Sequence, residues 1–271
     1  MHKELCESEI EEIKKQARIK LGECRKLNDI IGNQIFSILG LYARVIYYPL
    51  GDKAPWGFTR ISGSKNDAGL EKPFVAINTS IPLDCQVFAG AHELFHIWYD
   101  KTPDILPADL LHESDNELEE KKANRFAAEF LVDEVMLKQE MDLYKIKKIS
   151  VKSILQLSDL FTVPYIAMTK RLRETGVINA QELKQFLSES DETIEKYRKC
   201  YAFQTKKADH RIAMDNLVEL SVNAYRKGYI TFEKFEYLLS LSDMTPDELG
   251  IIKKTDDSFP SDEELQSIME E

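Results

Sequence analysis

The sequence has no long run of apolar residues, few cysteines and no surplus of positive charge. Without a run of about 18 apolar residues, no membrane-spanning helix is expected. The first ten residues are charged and contain no apolar signal core, so we expect a cytoplasmic protein. The four cysteines form no Cys-x-x-Cys pair, which favours free thiols over a disulfide framework or a sulfur-ligated zinc site.

The shortage of positive charge argues against broad affinity for nucleic acids. Asp and Glu number 47 and Lys and Arg 36, giving a net charge of −11, whereas a phosphate backbone demands a basic surface. The segment 145–174 is a local exception, because it carries seven basic residues against two acidic ones and has the length of a helix-turn-helix. DNA binding through this segment is therefore an alternative. The apolar side chains between Tyr165 and Leu172 favour packing against the rest of the chain.

Hydrophobic periodicity predicts a mixed first half and a helical second half. The predicted order is helices over 7–21 and 29–39, strands over 42–48, 57–62 and 73–78, a helix over 84–100, a loop over 101–114 and a helix over 115–136. A helix, a tight turn and a second helix follow within 151–172, and helical patterns continue from Gln181 onward. Thr231 is the expected N-cap of one later helix, and the acidic tail after Lys254 is expected to be loose.

Two of the five histidines stand four residues apart with a glutamate between them, in the stretch Ala91-His92-Glu93-Leu94-Phe95-His96. On a helix, His92 and His96 lie one turn apart on the same face, so both imidazoles can reach one ion. Glu93 points to nearly the same side and can hold a water molecule for attack on a peptide bond. This is the minimal equipment of zinc-dependent peptide hydrolysis. Two histidines on an amphipathic helix can also be satisfied core residues, so the motif alone leaves both interpretations open.

A tetrahedral zinc ion with one position kept for water needs a third protein ligand. In the zinc peptidases called gluzincins, this ligand is a glutamate on a second helix after the motif, and the candidates are Glu113, Glu117, Glu119 and Glu120. Glu120 has small or polar neighbours at Ala123, Asn124 and Ala127, which would let the two helices approach closely. Asn124 could accept the second ring N–H of a ligand histidine and fix its tautomer. The alternative, that these glutamates only decorate a solvated face, stays open on spacing alone.

The segments 91–99 and 120–131 resemble the ImmA/IrrE family of metallo-endopeptidases. In that family a strand ending in Ile-Asn precedes an Ala-His-Glu-Leu-x-His helix, and a Glu-x-x-Ala-Asn-x-Phe-Ala-Ala helix follows. Ile77-Asn78 and the stretches 91–96 and 120–128 match in this order, and the resemblance covers roughly residues 10–178. It departs at Phe95, where the family often has Gly or Tyr, and at Val132-Asp133, where it often has Met-Pro. Neither departure removes a metal ligand.

The resemblance implies a zinc site and a substrate class. It assigns His92, His96 and Glu120 as ligands of one Zn²⁺ ion and Glu93 as the general base. It implies cleavage of an intracellular regulatory protein, such as a DNA-binding repressor of a mobile element or of a stress response. Tyr99 and His112 are candidate donors to the oxyanion, without an assignment.

An extended substrate is expected to pair with the strand before the histidine motif. The residues of this expected substrate strand are Phe74, Val75, Ala76, Ile77 and Asn78. The alternative function is a DNA- or protein-binding regulator whose metal site is structural or vestigial.

The expected fold class is α+β, with a small, mostly antiparallel sheet packed on active-site helices as in zincins, followed by an all-helical C-terminal region. We expect a zinc metallopeptidase domain over residues 1–145 and a helix-turn-helix-like segment packed on it over 146–178. Residues 179–271 form a helical C-terminal region with an acidic tail. This last region could bind a partner or sense a signal, and its composition favours neither.

Overall fold

The structure is a computed structural model that describes residues 4–60, 72–99, 113–203, 206–242 and 244–252. The predicted loop up to His112, the end of the second predicted strand and the acidic tail lie outside these residues. The described part contains eleven α-helices, four strands and one short 3-10 helix, in the following order: α1 (Glu7–Glu23), α2 (Gln34–Tyr42), β1 (Arg44–Tyr48), β2 (Gly57–Arg60), β3 (Phe74–Asn78), α3 (Leu83–Tyr99), α4 (Glu113–Leu131), α5 (Glu134–Leu143), α6 (Val151–Phe161), α7 (Tyr165–Glu174), α8 (Ala180–Leu187), α9 (Asp191–Cys200), β4 (Ala213–Met214), α10 (Leu217–Arg226), α11 (Phe232–Ser240) and the 3-10 helix (Asp247–Leu249).

Two helix predictions differ from the structure, one at its start and one in its continuity. The helix expected from residue 29 begins only at Gln34, because turns occupy the stretch before it and Gly32 adopts a φ of +46°. The single helix expected over 115–136 is two helices, α4 and α5. Asp133 separates them, because its side chain accepts the N–H groups of Val135 and Met136 and so begins a new helix.

The four strands form one mixed sheet in the order β2-β3-β1-β4. β3 pairs antiparallel with β2 and parallel with β1, and β4 pairs antiparallel with β1. Two of the three pairings are thus antiparallel, and the predicted α+β fold with a helical C-terminal region is confirmed. β4 has only two residues and lies in a stretch whose pattern is helical, so periodicity could not reveal it.

The sheet order corrects the predicted substrate strand. Phe74, Val75, Ala76, Ile77 and Asn78 form β3, which is paired on both sides and therefore has no open edge for a substrate. Among the described residues, β2 pairs only with β3, so it forms the edge of the sheet next to β3. The open edge nearest the histidine motif is therefore β2.

α3 lies at the centre of the core and packs closely against α4. Ala123 and Ala127 on α4 are fully buried, so the two helices approach each other with little side-chain bulk between them. An aromatic layer extends this contact, with the rings of Phe95 and Phe126 at 5.6 Å and those of Trp98 and Phe130 at 5.7 Å. This packing fixes the position of α4 relative to the histidines of α3.

The chain divides into two compact units, Met1–Asp215 and Asn216–Glu271. The first contains the sheet and α1 to α9. In the second, α10 and α11 are joined by stacked rings of Tyr225 and Phe235 at 4.9 Å. Thr231 accepts the N–H of Lys234, which confirms it as the N-cap of α11. Within the described residues, no helix combines the length and the apolar character that crossing a membrane requires.

Candidate metal centre

His92 and His96 lie one turn apart on α3 and turn their rings to the same side of the helix. Their Nε2 atoms are 3.1 Å apart. Glu120 reaches this point from α4, with Oε2 at 3.2 Å from the Nε2 of His92 and Oε1 at 3.7 Å from the Nε2 of His96. The structure therefore brings together the three side chains that the resemblance assigns as metal ligands.

The geometry of these three side chains fits a tetrahedral zinc ion. Zinc–ligand distances of about 2.0–2.1 Å place neighbouring ligand atoms of a tetrahedral site about 3.3 Å apart. The ligand atoms of His92, His96 and Glu120 all lie within 4.8 Å of one another, and the shortest separations are close to this value. Two imidazole nitrogens and one carboxylate oxygen also form a donor set that catalytic zinc sites use, with the fourth position left open.

Asn124, one turn after Glu120 on α4, orients one of the histidines. Its Oδ1 atom lies 3.1 Å from the Nδ1 atom of His92. With Nδ1–H donating to this amide oxygen, the lone pair of His92 is on Nε2, the atom that faces His96 and Glu120. Outer contacts of this kind fix the tautomer and the ring orientation of a ligand histidine.

Glu93 is buried beside the histidines and is held by the sheet. It is 4% exposed, and its Oε2 atom accepts a hydrogen bond of 2.7 Å from the hydroxyl of Thr59 on β2. β2 approaches so closely that a Cβ atom on Gly57 would stand 3.0 Å from Oε1 of Glu93. Burial raises the pKa of Glu93 above its ordinary value, against the opposing effects of His92 and of the Thr59 hydroxyl. A carboxylate with a raised pKa binds a proton more readily, as a general base must.

The concentration of negative charge favours a cation at this point. Burial lowers the pKa of His92, but its hydrogen bond to Glu120 and the charges of Glu93 and Glu120 outweigh burial and raise it overall.

The other candidate glutamates on α4 pair with lysines instead. Glu117 binds Lys121 at 2.7 Å and Glu119 binds Lys122 at 2.9 Å, whereas the side chain of Glu113 lies outside the described residues.

A pocket of about 220 Å³ opens next to the candidate metal ligands. Sequence reasoning missed the residues on its apolar side, which are Pro55, Trp56, Gly57, Phe88 and Ala89. Helical spacing offered a signal for two of them, because Phe88 precedes His92 and Ala89 precedes Glu93 by one turn of α3. No local pattern could indicate the first three, because they reach the site only through the pairing of β2 with β3.

Asn78 has a structural role that differs from the predicted contact with substrate. Its Nδ2 group donates to the carbonyl oxygens of Gly51 and Pro55 at 2.9 and 3.2 Å. Its Oδ1 atom accepts the N–H groups of Leu50 and Ser80 at 3.1 and 2.9 Å. Asn78 thereby fixes the loop that presents Pro55 and Trp56 to the pocket.

Tyr99, one of the two candidate donors to the oxyanion, points away from the candidate metal ligands. The hydroxyl of Tyr99 donates to the backbone oxygen of Gln16 at 3.4 Å and so points toward α1. His112 lies outside the described residues.

The basic segment 145–174 loses one of its seven positive charges to the interior. Arg171 is 1% exposed, pairs with Glu129 and donates to the carbonyl oxygen of Val132 at 2.8 Å. A nucleic acid could not reach this side chain. α7 is therefore held against α4 by a buried charge.

Part of the chain matches a known protein family. Residues 42–173 match the IrrE N-terminal-like domain of the Peptidase_M78 family. The matched stretch contains β1 to β3, α3 and α4, and with them His92, His96 and Glu120. No curated protein and no solved structure matches the chain significantly.

Proposed function

We propose that the chain, whose residues 42–173 belong to the ImmA/IrrE family of metallopeptidases, is a zinc-dependent endopeptidase that hydrolyses a peptide bond in an intracellular regulatory protein. The observation that carries the proposal is the convergence of His92, His96 and Glu120 from two helices, with their ligand atoms within 4.8 Å of one another. The carboxylate of Glu93 lines the same pocket. This combination matches the needs of peptide hydrolysis better than those of a structural metal site, because a structural site has no use for a buried base.

A zinc ion held by the three ligands would supply a Lewis acid that polarises the scissile carbonyl and acidifies water. Glu93 acts as the general base, accepting a proton from the attacking water and passing it to the nitrogen of the leaving amine. Thr59 holds the Oε2 atom of Glu93, so the carboxylate keeps one orientation while it exchanges the proton. Asn124 keeps His92 in the tautomer that a ligand needs.

The outer edge of β2, which no other described strand covers, offers an extended substrate a place to pair. The N–H of Asn78 donates to the carbonyl oxygen of Trp56 at 2.9 Å, so these two residues form a hydrogen-bonded pair at the start of the ladder. Hydrogen-bonded and non-hydrogen-bonded pairs alternate in an antiparallel ladder. Gly57 and Thr59 are opposite Ile77 and Val75 and form the non-hydrogen-bonded pairs of this ladder. Their backbone N–H and C=O groups therefore point away from β3. A substrate strand could pair with these groups directly beside Glu93.

The substrate that we propose is a repressor-type regulator, cut in a segment that can become extended, such as an interdomain linker. The support for this class is the resemblance to the ImmA/IrrE family. Such a substrate would place the enzyme in the cytoplasm. The net charge of −11 and the burial of Arg171 favour a protein substrate over a nucleic acid.

Cleavage of candidate repressors tests the proposal. The purified full-length chain is incubated with repressors encoded near its gene, in the presence of zinc or of a chelator, and the products are analysed by mass spectrometry. Two defined fragments that require zinc are expected from one repressor. The Glu93→Gln variant, loaded with zinc to the same content, is expected to give no fragments, and unchanged cleavage by this variant would remove Glu93 as the base.

A further inference from the structure

Two aromatic rings form one wall of the pocket that is also lined by two of the candidate metal ligands, His92 and Glu120. Trp56 lies directly before β2, and Phe88 lies on α3 one turn before His92. Their rings meet edge to face, with centroids 6.4 Å apart. Pro55, Gly57 and Ala89 complete the apolar side of the pocket, whereas His92, Glu93, Glu120 and Asn124 form its polar side. The pocket is therefore divided into a reactive half and an apolar half.

The apolar half faces solvent, although burial of an aromatic ring is favourable. Trp56 is 43% exposed and Phe88 is only partly buried. Exposed aromatic residues next to polar groups that converge on one point are typical of ligand sites, where a few polar atoms fix the orientation and apolar walls supply affinity. The small residues Gly57 and Ala89 leave the space in front of the rings open.

Asn78 holds the backbone that carries Trp56. The carbonyl oxygen of Trp56 accepts the N–H of Asn78 at 2.9 Å, and the carbonyl oxygen of Pro55 accepts the side-chain amide of the same residue at 3.2 Å. A backbone that is fixed in advance does not lose conformational entropy when a ligand packs against the side chain it carries, so affinity is gained at lower cost.

A larger groove continues from this wall. Trp56, Phe88 and Asn124 line both the pocket and a groove of about 1610 Å³, most of whose other residues come from α1, α3, α4, α7 and α9. A polypeptide that runs from the candidate metal ligands into the groove would pass along Trp56, Phe88 and Asn124. One of its side chains, close to the scissile bond, would then lie against the two rings.

We propose that Trp56 and Phe88 form a specificity subsite for a large apolar side chain adjacent to the scissile bond. This inference rests on the proposed peptidase function and adds the substrate class to it: sites with leucine, isoleucine, methionine or phenylalanine next to the cut are preferred over sites with glycine or a charged residue. The subsite selects through burial of apolar surface against the two rings.

Binding of two small probes tests the subsite without any need for the natural substrate. N-acetyl-leucine hydroxamate and N-acetyl-glycine hydroxamate carry the same metal-binding group and differ only in the side chain. Their dissociation constants are measured by calorimetry on the zinc-loaded full-length chain. The leucine probe is expected to bind about tenfold to a hundredfold more tightly, the effect of burying one leucine side chain.

Three variants show whether the two rings cause this preference. Trp56→Ala and Phe88→Ala are each expected to reduce the leucine-to-glycine affinity ratio to near one, while leaving the affinity of the glycine probe and the zinc content unchanged. Tyr144→Ala is the matched control, because Tyr144 is 46% exposed and is not among the described residues that line either cavity. This control is expected to keep the full ratio.

The outcomes separate the subsite from the peptidase proposal. Equal binding of the two probes to the unaltered chain, or an undiminished ratio in both Trp56→Ala and Phe88→Ala, overturns the subsite and leaves the metal site intact. Failure of both probes to bind, with zinc present and chelator as the reference, overturns the metal site and the subsite with it.

Discussion

Single residues determine whether α3 and α4 form a metal centre or only a helix pair. The two histidines provide adjacent nitrogens on one face of α3, and Glu120 brings the negative charge from α4. Asn124 and Thr59 each make one hydrogen bond to the centre, to His92 and to Glu93 respectively. Because these roles are chemically distinct, single substitutions should separate metal binding from turnover.

Substitutions on α4 test the metal-binding role. Asn124→Ala removes the acceptor for His92, and we expect zinc affinity to fall about 10- to 100-fold, as is common for such outer contacts. Glu120→Ala removes a ligand and should cost more. Glu119→Ala is the control, because Glu119 pairs with Lys122 at 2.9 Å. Competition with a chromophoric chelator gives the affinities. Wild-type affinity in Glu120→Ala would show that the third ligand lies elsewhere.

Substitution of Thr59 tests the positioning of Glu93. Thr59→Val keeps the shape of the side chain but removes the hydroxyl that donates to Glu93 at 2.7 Å. A hydrogen bond to a charged group is worth about 1.5–3 kcal/mol, so kcat should fall about tenfold to a hundredfold. KM and zinc content should stay the same, because neither depends on this hydroxyl. Thr59→Ser retains the hydroxyl and should restore most of the lost kcat. Equal kcat values for the valine and serine variants would contradict the positioning role.

Sequence could predict the local part of this site but not its distant part. The spacing of His92 and His96, and of Glu120 and Asn124, is a property of one helix turn and needs no tertiary information. Gly57 and Thr59 reach Glu93, and Trp56 reaches the same pocket, only because β2 pairs with β3 and β3 lies beside α3 in the folded chain. No short pattern in the sequence encodes that approach, so these residues were missed.

At the scale of elements, the order of strands decides where a substrate can pair. Local patterns predicted β3 correctly as a strand but could not show that it is an interior strand, because strand neighbours are set by the topology of the whole sheet. The break between α4 and α5 was missed for a different reason. Asp133 ends one helical pattern and starts another without any proline or glycine to mark the boundary.

Within the part of the chain that the structure describes, β2 is paired on one side only, so a substrate that pairs with it should be recognised at every second backbone position. Backbone N-methylation removes one hydrogen-bond donor at a time from a peptide that the enzyme cleaves. If the peptide pairs with the outward groups of Gly57 and Thr59, methylation should raise KM strongly at every second position and weakly at the positions between. Steady-state kinetics on a methylation series measures this pattern. A uniform effect along the peptide would argue against pairing with β2.

The buried charge of Arg171 predicts that α7 is a structural helix. Arg171→Met removes one of the charged partners of the buried Glu129. It also removes the hydrogen bond that the carbonyl oxygen of Val132 accepts from Arg171. Breaking a buried pair typically costs about 3–5 kcal/mol. Arg173→Met, at an exposed position of the same helix, should change the free energy of unfolding by less than about 0.5 kcal/mol. Urea denaturation of both variants gives the values. Equal stability of the two variants would show that the Arg171 pair does not hold α7 in place.

At the scale of the whole molecule, the peptidase fold extends beyond the stretch that matches the family. The match ends at residue 173, whereas the first compact unit continues to Asp215. The added stretch returns to the start of α3 and to the sheet. Lys206 binds Asp84 at the start of α3 at 3.0 Å and Asp159 at 3.1 Å. β4 then covers the free side of β1, and the N–H of His210 donates to the carbonyl oxygen of Thr79 at 3.0 Å.

Two truncations test whether this added stretch belongs to the fold. A chain that ends at Asp215 retains β4 and the Lys206 pairs, so it should unfold cooperatively and bind zinc as tightly as the full chain. A chain that ends at Glu174 loses both and exposes the edge of β1 and the apolar surface that Ile178, Phe186 and Ile194 bury. Unpaired strand edges favour aggregation. The shorter chain should therefore have a lower urea midpoint and weaker zinc binding, measured side by side with the longer one. Equal midpoints for the two chains would place residues 175–215 outside the peptidase fold.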